Sequence, residues 1–199
     1  MRTPRLSSFD EAYFKKFYGA GKKSVRSAAD VGPQARMVDA LCESWGLTLR
    51  SMLEVGAGPG FWRAWFSKSR PEVRVLSTDI SEYACEKYGH ELRDISKWKP
   101  ARAFDLVICQ DVLQYLSDRD AAAAIRNLAS ATREVLFLEV PTRDDLRSVL
   151  DREATDFQMN LRPAEWYRRR LRRFFRQVGA GVWVRRGGRV VLYAMESAD

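Results

Sequence analysis

The segment Ser51-Met-Leu-Glu-Val-Gly-Ala-Gly-Pro-Gly60 most restricts what this chain can become. Met52, Leu53 and Val55 are apolar and strand-like, and Glu54 stands where that strand ends. Gly56, Gly58 and Gly60 follow, and Phe61-Trp-Arg-Ala-Trp-Phe66 then carries apolar residues at helical spacing. Strand, glycine turn and helix in this order form the first unit of a sheet that binds a nucleotide or nucleoside. Glycines serve there because a ligand approaches the backbone more closely than side chains permit.

Two residues narrow the ligand. A dinucleotide turn needs a small third residue for close packing of helix on strand. Counted from Gly56, that place is Phe61, and the third glycine comes one position early. A carboxylate at Glu54 repels a pyrophosphate and favours a cationic ligand. Asp79 lies 21 positions after Gly58, at the end of a second apolar segment, Val73 to Thr78. An acid there receives the ribose hydroxyls of an adenosine ligand. Asp79 or Ser81 can equally cap the helix that follows.

The rest of the chain alternates strands and helices from about residue 51 to 140, which predicts a mostly parallel, doubly wound α/β sheet. Pro71 ends the helix carrying Trp62 and Trp65. His90 to Ile95 reads as a short strand ending at Asp94, Phe104 to Cys109 as a buried strand, and Glu134 to Val140 as the next. Ser117, with an acid three residues on, starts a helix over Ala121 to Ala131. Upstream, Gln34 to Trp45 has a helical apolar face stopped by Gly46. Phe9, Tyr13, Phe14, Phe17 and Tyr18 share helical spacing; they pack on the domain or form a lid over the ligand. Gly19 to Arg26 is a basic loop without phosphate-loop spacing. Residues 142–161 are polar and irregular. Pro163 begins a helix whose stripe, Tyr167, Leu171, Phe174, Phe175 and Val178, ends at Gly179. Val182 to Arg186 and Arg189 to Met195 flank Gly187-Gly188 and read as a β-hairpin.

The 199 residues suit one domain with a sizeable core. N-terminal helices with a candidate lid occupy 1–49, a cofactor-binding core 50–140, and a substrate-side loop, Arg-rich helix and hairpin 141–199. No apolar run is long enough to span a bilayer. The N-terminus lacks a secretory apolar segment. Cys42, Cys85 and Cys109 have no paired spacing, so a cytoplasmic protein without disulfides or a metal site is expected. The net charge of +8 is concentrated. Residues 162–199 hold ten arginines against Glu165, Glu196 and Asp199. That segment is a solvated or anion-attracting face, or a nucleic-acid face. The aromatics of the buried stripe are not also available to stack on bases.

Taken together, the sequence resembles the class I S-adenosylmethionine-dependent methyltransferases. Glu54-Val-Gly-Ala-Gly-Pro-Gly60 matches the first motif of that family. Thr78-Asp79-Ile80-Ser81, Arg93-Asp94-Ile95 and Phe104-Asp-Leu-Val-Ile-Cys-Gln-Asp-Val-Leu-Gln-Tyr-Leu116 are similar to the next three. The resemblance implies a seven-stranded sheet in a three-layer α/β/α sandwich, with a C-terminal antiparallel hairpin. It implies S-adenosylmethionine as cofactor, with its ammonium and sulfonium suiting Glu54. Gly56, Ala57, Gly58 and Gly60 would form the turn, and Asp79 and Ile80 would meet the ribose. Asp94 and Ile95 would meet the adenine, while Gln110, Asp111 and Val112 would lie beneath the methionine.

In-line methyl transfer to a small-molecule acceptor follows, with the protein supplying alignment and desolvation. Gln114 stands where many family members carry His, and it is no base. Asp111 and Tyr115 are the residual candidates, while His90, the single histidine, is expected at the surface or a strand edge. Tyr18, Arg26 and Trp166 are candidates for the acceptor side, where an anionic acceptor suits the net charge. RNA methylation through the Arg-rich face and a non-catalytic cofactor-binding partner are the other readings.

Overall fold

The computed structural model describes residues 9–18, 26–145 and 159–198. Five strands run parallel: β1 (Ser51–Val55), β2 (Arg74–Asp79), β3 (Glu91–Leu92), β4 (Phe104–Gln110) and β5 (Thr132–Glu139). Two more, β6 (Phe175–Gly179) and β7 (Val182–Arg185), extend the sheet antiparallel. The spatial order is β3-β2-β1-β4-β5-β7-β6. Strand order therefore reverses between β1 and β4, and a ligand crevice opens at the carboxyl ends of strands at such a reversal.

Helices α1 (Glu11–Tyr18), α2 (Ala28–Ser44), α3 (Phe61–Ser69), α4 (Glu82–Tyr88), α5 (Asp118–Ala131) and α6 (Ala164–Leu171) surround the sheet. Two apolar cores result. Val31, Val38 and Cys42 of α2 and Trp62 and Phe66 of α3 pack on one face of the sheet. Ile125 and Leu128 of α5 and Tyr167 and Leu171 of α6 pack on the other. All of β4 is buried, as the apolar run Leu106 to Cys109 suits a central strand covered on both sides. Its one acid, Asp105, accepts hydrogen bonds from the Arg50 and Ser51 amides at 2.9 and 3.0 Å and pairs with Arg133. That arrangement ties the entry to β1 against β4.

The α2 helix begins six residues before the apolar periodicity suggests. Ser27 and Asp30 form a capping box, with the Ser27 amide donating to Asp30 Oδ2 at 2.8 Å. Such a cap stabilises a helix start by about 0.5–2 kcal/mol and here carries the helix through Pro33. Its effect on the site is to fix Arg26, the residue just before the cap. Ser117 caps α5 as expected, accepting from the Asp120 amide at 3.2 Å.

The C-terminal hairpin is present but is built from other residues. The helix expected through Val178 ends at Leu171, and Phe175 to Gly179 is strand. The turn is Ala180-Gly181, both with positive φ (46° and 80°), and not Gly187-Gly188. Two consecutive positive φ values match the right-handed twist of a two-residue hairpin. Arg189 to Met195 forms no strand, because β5 and β6 already occupy both edges of β7. Gly187 instead turns the chain away, and Arg189 binds Glu134 through its amide and its guanidinium, each at 2.8 Å. The basic loop over 19–25 and most of the polar loop, 146–158, lie outside the described residues.

Candidate functional site

The carboxyl ends of β1, β2 and β4 open into a cavity of about 200 Å³ roofed by α1. The glycine turn forms its floor. Gly56, Gly58 and Gly60 all have positive φ (67°, 53° and 77°), the left-handed conformation that only glycine adopts at low cost. At Gly56 a side chain is excluded for a second reason: a Cβ would stand 2.2 Å from Val112 Cγ2. Gly60 begins α3, receiving there the Ala64 amide at 2.9 Å, and lines neither cavity.

Asp79 closes β2 and is 7% exposed. One carboxylate oxygen accepts the Gly58 amide and the other the Ser81 amide, both at 2.8 Å. Ser81, and not Asp79, caps α4, accepting from the Ala84 amide at 3.1 Å. Asp79 therefore faces the cavity while holding the glycine turn to β2. Burial pushes its carboxyl up, against the lowering effect of those two amides. Ile80, Asp94 and Ile95 line the same cavity. Asp94 accepts from the Ser96 amide and hydroxyl and pairs with Lys97 at 2.8 Å. Burial opposes ionisation of Asp94, but those partners win and hold its carboxyl low.

Of the two placements expected for His90, surface or strand edge, the surface one fails: the residue directly precedes the edge strand β3 and is buried. It is 8% exposed and lies under the glycine turn, with Nε2 3.0 Å from the Gly58 carbonyl and Nδ1 2.8 Å from Ser77 Oγ. A carbonyl only accepts, so Nε2 carries the proton and donates it to Gly58. Ser77 Oγ accepts from Arg63 at 3.0 Å and so donates its own proton to Nδ1. Burial lowers the His90 pKa, consistent with this neutral tautomer. His90 thus fixes the backbone of the turn.

Glu54 lies in β1, just before the glycine turn. It is 2% exposed, and its Oε2 accepts the Arg63 amide of the first turn of α3 at 3.1 Å. Burial pushes its carboxyl up to about 8 against that bond and the Arg63 charge. Glu54 lines a smaller neighbouring cavity of about 60 Å³, together with Ala57 and Gln110. Gln110 accepts from Trp62 Nε1 at 2.8 Å and donates to Gln34 and Glu139, each at 2.9 Å.

Asp111 and Tyr18 border both cavities. Asp111 has φ 57°, a strained value for a side-chain-bearing residue, and its amide donates to the Glu139 carbonyl at 3.0 Å. Its Oδ2 accepts from Arg26 Nε and Nη2 at 3.0 and 2.8 Å, and Arg26 Nη2 also reaches Glu139 at 2.9 Å. Burial raises the Asp111 carboxyl, Arg26 lowers it and Glu139 raises it, with a net rise. Burial also pushes the Tyr18 hydroxyl up. Val112 and Tyr115 complete the wall, and the Tyr115 hydroxyl lies 3.2 Å from that of Tyr13.

The aromatic stripe near the N-terminus packs on the domain and also borders the main cavity. Phe14 and Phe17 are buried, while Phe9, Tyr13, Phe14 and Tyr18 roof the main cavity. Phe9 meets Tyr115 edge-on, with ring centroids 5.1 Å apart. Trp166 is not in the lining of either cavity. It packs on the α5 side of the sheet, with the Arg170 guanidinium 3.6 Å and Arg162 4.8 Å from its ring centroid. Glu139 and Gln34, which line neither cavity but bond to Arg26 and Gln110 at the edge of the smaller one, are supporting residues that sequence reasoning missed. For Glu139 a signal existed: an acid at the carboxyl end of the last parallel strand.

Three comparisons bear on this geometry. A family model described as Methyltransferase domain matches residues 26–183. Among solved structures, magnesium protoporphyrin IX methyltransferase from Synechocystis PCC 6803, with bound SAM, is 18% identical with a TM-score of 0.63. The match covers 91% of this chain and 95% of that one. The N-methyltransferase NodS from Bradyrhizobium japonicum WM9, complexed with S-adenosyl-L-homocysteine, is 18% identical with a TM-score of 0.53. Here 77% of this chain and 87% of that one are covered. These likenesses show the fold. A search of curated proteins found no match. With the family model spanning most of the chain, from Arg26 before α2 to Trp183 in β7, the protein belongs to the methyltransferase domain family.

Proposed function

We propose that this chain transfers the methyl group of S-adenosylmethionine to a small-molecule acceptor. The observation that carries the reading is the Asp79 carboxylate, bound to the Gly58 amide and facing the cavity beside Ile80, Asp94 and Ile95. A carboxylate retains acceptor capacity beyond these single bonds, so Asp79 can also receive the two ribose hydroxyls. Ile80 and Ile95 supply apolar surface for a purine, and Asp94 an acceptor for its amino group. Gly56, Ala57 and Gly58 let the ligand lie on the backbone, and Gly60 shapes the turn. The acids Glu54 and Asp111, with Gln110 and Val112, suit an ammonium-bearing methionine end, and Arg26 suits its carboxylate. The site thus fits an adenosyl ligand that carries positive charge and no phosphate.

The bound cofactor supplies a methyl group already activated on a sulfonium. The protein then aligns the acceptor and excludes water, and the aromatic roof of α1 is suited to both tasks. Tyr115 and Asp111, both in the cavity wall, are the candidates to receive an acceptor proton. Asp111 is held by Arg26, and the Tyr115 hydroxyl is beside that of Tyr13. The small-molecule reading is favoured over RNA because the Trp166 ring is already covered by Arg170 and is not free to stack on a base. No helix among the described residues is long and apolar enough to cross a membrane. The cytoplasmic location proposed for the enzyme is supported by its cysteines, Cys42, Cys85 and Cys109, all of which are free thiols.

Titration calorimetry with S-adenosylmethionine and S-adenosylhomocysteine tests the reading. Micromolar binding that Asp79→Ala abolishes is expected. Absence of binding at millimolar ligand, or equal binding by the variant, overturns it. Methyl-labelled cofactor incubated with cell extract then identifies the acceptor, and label found in RNA rather than in small molecules overturns the acceptor class.

A further inference from the structure

The last parallel strand, β5, ends at Glu139, opposite Gln110 at the end of β4. The Glu139 carboxylate gathers three side chains from separate parts of the chain. Its Oε2 accepts from Gln34 Nε2 of α2 and from Gln110 Nε2, each at 2.9 Å. Its Oε1 accepts from Arg26 Nη2, also at 2.9 Å. The two glutamines are themselves fixed. Gln110 Nε2 donates to Gln34 Oε1 at 2.9 Å, and Trp62 Nε1 donates to Gln110 Oε1 at 2.8 Å. Two amides and an indole thus set the orientation of the Glu139 carboxylate and leave Oε1 turned to Arg26.

Arg26 needs that second anchor. Its Nε and Nη2 both reach one oxygen of Asp111, Oδ2, at 3.0 and 2.8 Å. Two donors on a single oxygen let a guanidinium tilt about it, unlike the fork in which two donors meet two oxygens. The bond to Glu139 opposes that tilt from a different strand. The orientation matters because Arg26, Gln110 and Asp111 line the smaller cavity with Glu54 and the glycine turn. Glu139 lines neither cavity, so it acts on a ligand only through the groups it holds.

We propose that Glu139 is a positioning residue for the cofactor. It holds Arg26 in the orientation that receives the amino-acid end of S-adenosylmethionine, and so makes the site prefer ligands that carry that end over a bare adenosine. The inference rests on the methyl-transfer reading above. A second carboxylate also repels the ligand's own. The Glu139 side chain is 37% exposed, however, and solvent screens that longer interaction while the direct hydrogen bond keeps its geometry. Positioning therefore outweighs repulsion, and removing the charge weakens binding.

Glu139→Gln tests this. It keeps the size of the side chain and leaves one oxygen to serve three donors. The backbone carbonyl, which accepts the Asp111 amide at 3.0 Å, is untouched. Calorimetry compares the wild type, Glu139→Gln, Arg26→Met and the double variant with two probes: S-adenosylhomocysteine, and 5′-methylthioadenosine, which lacks the amino-acid end. Glu139→Gln is expected to weaken S-adenosylhomocysteine by about tenfold and 5′-methylthioadenosine by less than about twofold, since one charge-assisted hydrogen bond is lost to one ligand only. In the Arg26→Met background the same change is expected to cost S-adenosylhomocysteine less than about twofold. Gln34→Met removes a brace from Oε2 and leaves the bonds of Arg26 in place. It is expected to show the same selectivity at about threefold, and it serves as the test if Glu139→Gln does not melt cooperatively. Unchanged or tighter S-adenosylhomocysteine binding by Glu139→Gln overturns the proposal. Equal weakening of both probes also overturns it, by marking a general structural role. An undiminished loss in the Arg26→Met background does so too, by showing that Glu139 acts without Arg26. Where the wild type binds S-adenosylhomocysteine but not 5′-methylthioadenosine, the double variant decides alone. A wild type that binds no S-adenosylhomocysteine ends the methyl-transfer reading and the proposal with it, whereas failure of the Glu139 proposal alone leaves wild-type binding intact.

Discussion

Replacing Glu54 with glutamine should change how stability depends on pH. Burial lifts the Glu54 carboxyl from its ordinary 4.5 to about 8. Between those values the folded protein holds a proton that the unfolded chain has released. The stability contributed by the protonated group is complete below about pH 4.5 and is lost as pH rises through about 8. The slope is about 1.4 kcal/mol per pH unit while the two states differ by one proton. The Glu54→Gln variant has no such dependence, and its amide oxygen can still accept the Arg63 amide. For a domain of this size 1 kcal/mol corresponds to about 2–4 °C in Tm, so the variant should gain about 3–6 °C on the wild type per pH unit. Asp79 and Asp111, also raised by burial, contribute to both proteins and cancel in the difference. Calorimetric melting at constant ionic strength from pH 5 to 8 measures it. Parallel Tm curves for the two proteins would show that Glu54 is ionised in the fold and would refute the reasoning.

Gly56→Ala should destabilise by roughly 2–5 kcal/mol in urea melts, combining about 1–2 for positive φ and about 1–3 for overpacking against Val112. Adding Val112→Ala should restore the packing part and leave the dihedral part, so full recovery would contradict the φ argument. His90→Ala should cost about 1–3 kcal/mol by removing the donor to the Gly58 carbonyl and the acceptor of the Ser77 hydroxyl proton. It should also weaken S-adenosylhomocysteine binding in calorimetry, because the glycine turn loses its support. Arg26→Met should remove the cation that lowers the Asp111 carboxyl and so raise its pKa further. In thermal melts of wild type and variant, the variant's stability should fall more steeply as pH rises above the ordinary carboxylate range.

The placement of the glycine turn and Asp79 was legible because it depends on local spacing: a strand, three glycines and an acid 21 positions after Gly58. His90 was not, since its partners Ser77 and Gly58 are 13 and 32 residues away and only the fold brings them under the turn. The same holds for Arg26, whose carboxylate partners are 85 and 113 residues distant. For Glu54 the residue type was informative but its charge was not, because ionisation is decided by burial that no spacing reveals. The hairpin failed for a topological reason. Gly179-Ala-Gly181 and Gly187-Gly188 look alike as turn signals, and the choice between them depends on which strand edges remain unpaired. Phe174 and Phe175 fit a helical stripe as well as a strand, and pairing with β7 decides for the strand.

The contact between Val112 and the bare α-carbon of Gly56 has a consequence for redesign. The loop that follows β1 and the loop that follows β4 meet there with no adjustable side chain between them. Each acts as a template for the other's backbone. A substitution meant to reshape the pocket for a new substrate, if it shifts Val112, will transmit its displacement directly into the glycine turn. Altering substrate preference without disturbing the glycine turn therefore calls for changes that leave Val112 where it stands.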